Sequence, residues 1–74
     1  MITYIREYRR KKGLKQAELA ELVGVRRETI GNLERGRYNP SLRLAWALSR
    51  VLNTPLDSLF SFTDEIDSGR SGAV

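Results

Sequence analysis

The side chains best placed to do chemistry lie in one stretch, Gln16 to Leu33 (QAELAELVGVRRETIGNL). Leu19, Ala20, Val23, Val25, Ile30 and Leu33 recur at the spacing of two short helices and face inward. Arg26, Arg27, Glu28, Thr29, Gly31 and Asn32 are left between or ahead of them. The chain has no His and no Cys, which removes the usual general base, the thiol nucleophile and the common zinc ligand sets. No glycine loop of the phosphate-cradling kind is present, and 74 residues give little mass with which to enclose a substrate pocket. An enzyme is therefore not expected, nor a metal, a cofactor or a small-molecule ligand. Paired hydrogen bonding remains. Arginine fits the two acceptors of guanine, asparagine fits adenine, and a carboxylate accepts from the cytosine amino group. Side chains placed in this way could reach the floor of a DNA groove.

The elements that must hold these residues can be read from caps and stops. Thr3 is placed to cap a first helix running to Lys12, with Gly13 as its stop. Ile5 and Tyr8, flanked by Tyr4 and Arg9, form a narrow stripe on that helix, and Leu14 should drop back into the core. The second helix is expected over about Gln16–Val23, with Gly24 as its stop, and the third over about Arg27–Arg35, with Gly36 after it. Ser41 is a good N-cap for a fourth helix to about Leu52, on which Leu42, Ala45, Trp46, Leu48, Ser49 and Leu52 are expected to share a face. Pro55 suits the first turn of a short fifth helix, Leu56 to Phe60. No alternating strand pattern and no internal repeat is visible. Ala20 is small where the third helix must approach, and Gly24 lies where the chain must reverse. Val25, Ile30 and Leu33 then anchor the third helix from beneath. Its outer face begins with Arg26, Arg27 and Glu28 and includes Asn32 one turn on. Such a helix fits the major groove, with its N-terminal residues nearest the base edges.

Charge points the same way. Up to Arg50, twelve Lys and Arg face five Glu, a balance of +7, whereas from Val51 onward one Arg faces four acids, −3. A basic front with an acidic tail suits a polyanionic partner, although a solvated helical surface would also be basic. No apolar run approaches the roughly 20 residues needed to cross a bilayer. The N-terminus has no signal-peptide core, so a soluble, cytoplasmic protein with no membrane partner is expected.

With these residues in place, the chain resembles the Cro/repressor-type helix-turn-helix regulators, the xenobiotic-response-element family. The resemblance runs from about Ile2 to Phe60. Gln16, Ala20, Gly24, Ile30 and Leu33 match motif positions, and Leu33–Leu42 (LERGRYNPSL) looks like the family's loop after the recognition helix. The resemblance implies an all-α fold, a compact five-helix repressor-like DNA-binding domain whose helices 2 and 3 form the helix-turn-helix. It occupies residues 1–62, and an acidic, then Gly/Ser-rich tail, expected to be flexible, follows over 63–74.

By the same resemblance, Gln16 would bond a phosphate and brace the recognition helix, unless it is simply a helix-start residue. Arg27, Glu28 and Asn32 would read bases; Arg26 is counted with them from its place on the outer face, not from the resemblance. Thr29 would touch phosphate or a thymine methyl. Arg37, Tyr38, Asn39 and Arg43 would lie along the backbone. Arg9 and Glu34 would form a structural ion pair tying the first helix to the third.

The chain also departs from that pattern. Lys15 and Arg26 stand where the family often has Ser or Thr caps, and neither side chain can accept a hydrogen bond from the free amides. Either bound phosphate compensates for them or the core tolerates two poor caps. Gly31 inside the third helix costs about 1 kcal/mol relative to Ala. Leu22 and Leu44 occupy commonly polar places. Leu56, Phe60 and Phe62 form an apolar cluster that would either make a two-fold dimer or close the monomer's own core. The expected function is a sequence-specific double-stranded DNA-binding transcriptional regulator, a repressor acting as a homodimer on a near-palindromic operator. The alternatives are the antitoxin of a toxin–antitoxin pair and a protein-interaction module that has lost DNA binding.

Overall fold

A computed structural model of the chain describes residues 1–61. Phe62 of the expected interface cluster and the expected flexible tail over 63–74 lie outside the described residues. The order of elements is β1 (Ile2–Thr3), α1 (Ile5–Lys11), α2 (Gln16–Val23), α3 (Arg27–Glu34), α4 (Leu42–Leu52), α5 (Leu56–Leu59) and β2 (Phe60–Ser61). Five helices in the expected order make the fold helical. The core beneath them is Ile5, Leu19, Ala20, Val23, Ile30, Leu33, Leu44, Leu48, Leu52, Leu59 and Phe60. Leu14 and Val25 pack against it, half-buried. No helix among the described residues is long and apolar enough to cross a membrane.

The two glycines that end α2 and follow α3 are required for different reasons. Gly24 has φ +79°, and a Cβ there would meet nothing within 4 Å, so only its left-handed backbone demands glycine. Through that turn the Val25 amide reaches back to the Ala20 carbonyl (2.9 Å), closing α2 and launching α3 at an angle. Gly36 has φ +74°, and a Cβ there would stand 2.8 Å from the Met1 carbonyl oxygen. Backbone conformation and close approach of the N-terminus both exclude a side chain.

Two expectations are corrected at the ends of the domain. Thr3 does not cap α1. It pairs in an antiparallel ribbon, Ile2 opposite Ser61 and Thr3 opposite Phe60, which joins the two ends of the folded unit. Tyr4 occupies the N-cap position with no side-chain bond, and its amide donates to the Leu59 carbonyl at 2.9 Å. A strand of two residues is too short to show alternation, so nothing in the sequence announces this pairing. Pro55 sits one place earlier than expected, at the N-cap of α5, and Phe60 leaves the helix for β2.

The buried face of α4 is also rotated from the expected one. Leu44, Leu48 and Leu52, four residues apart, enter the core, while Leu42 is 80% and Trp46 58% exposed. The Ser41 hydroxyl accepts the Leu44 amide (3.0 Å), a working N-cap at the expected position. Leu44 is thus a core residue rather than an apolar departure on the surface, whereas Leu22 is exposed. Trp46 instead lies 5.5 Å from the Arg50 guanidinium, one turn on along the same helix.

Candidate nucleic-acid interface

The outward arc of α3 follows from its inward one. Ile30 and Leu33 are fully buried, and at 100° per residue their direction leaves Glu28, Asn32 and Arg35 on the far side, while Gly31 is buried beside the Gln16 side chain. Arg26, Arg27 and Glu28 are exposed, and Asn32 and Thr29 are half-buried. These are the side chains the sequence singled out. Arg35 is on the same arc, exposed, at the C-cap. It was missed because it reads as the end of a helix rather than as part of its face, although its spacing of seven from Glu28 carried the signal.

Neither helix start has an ordinary cap. Arg26 adopts the extended N-cap backbone, but its side chain bonds none of the free amides. Lys15 does likewise at α2, yet half of a capping box is present there. The Glu18 carboxylate accepts the Lys15 amide at 2.7 Å, and an ammonium has nothing with which to accept in return. Glu18 therefore offsets part of the missing cap at α2, while α3 begins with a cation at the positive end of its dipole, with Glu28 as the acid of its first turn and no side-chain cap.

Beneath this surface lies a polar network built on Glu34, whose side chain is fully buried. Arg9 grips the carboxylate at two points, Nε to Oε2 at 2.6 Å and Nη2 to Oε1 at 3.3 Å, and its Nη1 donates to the Leu14 carbonyl at 2.8 Å. The ion pair suggested for Arg9 and Glu34 thus joins α1 to α3 and also fastens the α1–α2 turn. Gln16 uses both ends of its amide: Nε2 donates to Glu34 Oε1 (3.0 Å), and Oε1 accepts from Arg27 Nη1 (3.3 Å). The residue opening α2 therefore braces α3 at its first and last turns. Arg6, which the sequence reading passed over, adds a longer contact, Nε to Glu34 Oε1 at 3.5 Å. Burial alone would raise the Glu34 carboxyl. The hydrogen bonds from Arg9 and Gln16, the Arg9 charge and the Arg6 contact outweigh it and hold the carboxyl below its usual range.

The loop after α3 carries the other candidate residues. Arg37, Tyr38 and Asn39 are exposed, and Arg43 is exposed on the first turn of α4. The first three lie between α3 and α4 in the chain, and Arg43 follows as the second residue of α4. A groove of about 430 Å³ follows, lined by Asn39, Pro40, Leu42, Ala45, Leu56, Asp57 and Phe60. Of the suggested interface cluster, Leu56 is 36% exposed, but Phe60 is only 6% exposed and belongs to the monomer's core, so its ring has little surface to offer a partner. No group of His, Cys or acidic residues that could hold a metal ion occurs among the described residues.

Comparison with known proteins gives this surface its context. Residues 5–59 match the helix-turn-helix family described as HTH_3. An uncharacterised HTH-type transcriptional regulator of Archaeoglobus fulgidus is 60% identical over 65 residues, which cover 88% of this chain and 93% of that protein. The restriction-modification controller protein C.AhdI of Aeromonas hydrophila superposes with a TM-score of 0.69 at 41% identity, covering 76% of this chain and 85% of its own. SinR, a master regulator for biofilm formation solved in complex with DNA, superposes with a TM-score of 0.67 at 34% identity, over 73% of this chain and 87% of that one. The chain belongs to the Cro/repressor-type helix-turn-helix family of transcriptional regulators.

Proposed function

We propose that this protein is a sequence-specific double-stranded DNA-binding repressor that acts in the cytoplasm as a homodimer and inserts α3 into the major groove. The observation that carries the reading is the exposed polar arc of α3, held on two turns by the Gln16–Glu34 brace and opened by a cationic, uncapped start at Arg26. A duplex phosphate would supply the hydrogen-bond acceptor that the Arg26 side chain does not. The likeness to SinR, which was solved in complex with DNA, supports DNA as the partner. In this reading Arg26, Arg27, Glu28 and Asn32 meet base edges. Gln16, Thr29, Arg37, Tyr38, Asn39 and Arg43 meet the backbone.

A monomer reads too few base pairs for a strong choice of site. Two copies related by a two-fold axis would present their α3 helices to grooves roughly 34–36 Å apart, on a near-palindromic operator. The surface for that contact is the apolar edge near α5, with Leu56 on it and Leu42 and Trp46 of α4 exposed nearby in the chain.

Enrichment of random duplexes on the purified protein tests the reading. Recovery of two inverted half-sites about one helical turn apart is the expected result. Recovery of no preferred sequence, together with binding that does not weaken as salt rises, would leave a helix-turn-helix that no longer binds DNA.

A further inference from the structure

We propose that Arg6, on the first helix, is a DNA-phosphate contact working beside Gln16, a role that rests on the DNA-binding reading above. Arg6 lies three residues before Arg9 and so on the same side of α1, and its Nε approaches Glu34 Oε1 at 3.5 Å. That carboxylate has no need of it for neutrality or geometry. Arg9 already binds both oxygens, at 2.6 and 3.3 Å, and Gln16 donates to Oε1 at 3.0 Å. Arg6 is the outermost and loosest of the donors, with its side chain 48% exposed beside a carboxylate that is fully buried.

Charge completes the case. The linked cluster of Arg6, Arg9, Gln16, Arg27 and Glu34 holds three guanidinium groups and one carboxylate. Arg9 and Glu34 cancel each other in the interior. Arg6 and Arg27 remain as two surplus cations, Arg6 against Glu34 and Arg27 on the Gln16 amide that itself bonds Glu34, where α1, α2 and α3 meet. Among the described residues Glu34 is the only acid bonded to any of them. Arg6 and Gln16, from two helices at the edge of α3, with a net positive charge and no second internal acid bonded to the cluster, suit a phosphate oxygen. Arginine's planar fork leaves both terminal nitrogens of Arg6 for that oxygen while Nε stays toward Glu34.

The test compares the wild type with Arg6→Gln and Arg6→Lys, using a labelled mixed-sequence duplex and the duplex recovered by enrichment, each titrated over a range of salt. Arg6→Gln is expected to weaken both duplexes by the same factor and to lower the log–log salt slope by about 1, with the unfolding midpoint unchanged. Arg6→Lys, which keeps the charge, is expected to restore the slope. An unchanged slope in Arg6→Gln overturns the inference. So does a loss confined to the enriched duplex, which would make Arg6 a base reader, or a lowered unfolding midpoint, which would make it structural. If the wild type itself shows no salt-dependent binding, the DNA-binding reading fails first and takes this role with it.

Discussion

Arg27 is tied to Gln16 through one nitrogen and is otherwise exposed, so it enters a groove with its direction already chosen. Arg27→Ala is expected to relax sequence preference by about 1–3 kcal/mol at one base pair, seen as a flattened position in the enriched site. A uniform loss over all duplexes would make it a phosphate contact instead. Glu34 yields a prediction of another kind. Its carboxyl is held below the ordinary value of 4.5 in the folded chain and returns to that value on unfolding. The unfolded state therefore takes up the proton first. The stability Glu34 contributes is complete above about pH 4.5 and is lost as pH falls through the lower folded value. Thermal unfolding followed downward from neutral pH should show this loss, and Glu34→Gln should show a shallower acid dependence. The types of these residues were legible in the sequence. The second hydrogen bond of Gln16 and the approach of Arg6 were not, because both join side chains far apart in the chain.

At the scale of the helices, the start of α3 sacrifices stability. A residue that caps the free amides is worth about 1 kcal/mol over one that does not, and a cation there also opposes the helix dipole. Arg26→Ser is expected to raise stability by about 1 kcal/mol in denaturant unfolding and to weaken DNA binding at the same time. Improved stability with undiminished binding would show that the missing cap serves no purpose in the complex. The start of α4 and the end of α2 followed from local chemistry, since Ser41 caps the one and Gly24 ends the other where their side chains, or the lack of one, dictate, whereas the start of α1 and the end of α5 did not. The rotation of α4 did not follow. Two apolar faces, one through Leu44 and Leu48 and one through Leu42 and Trp46, compete in the same eleven residues. The larger aromatic pointed to the second. The space between α2 and α5 selects the first, because leucines at intervals of four fill it without a ring.

At the scale of the whole molecule, the folded unit is closed by its ends, with β1 on β2 and the N-terminus against Gly36. Phe60 is consumed by that closure, so an interface between copies must use what remains exposed. Leu56→Asp is expected to shift sedimentation from dimer toward monomer and to weaken operator binding more than binding to a half-site, while leaving the monomer folded. An unchanged oligomeric state would move the contact away from α5. The order of the helices, the turn at Gly24, the inward residues of α2 and α3 and the outward set from Arg26 to Asn32 were determined by the sequence alone. Each depends on residues within one or two turns of one another. The ribbon between the chain ends, the rotation of α4, the burial of Phe60 and the gathering of Arg6, Arg9, Gln16 and Arg27 around Glu34 were decided only by the tertiary structure. Each depends on segments that are distant in the chain and meet only when the core has closed.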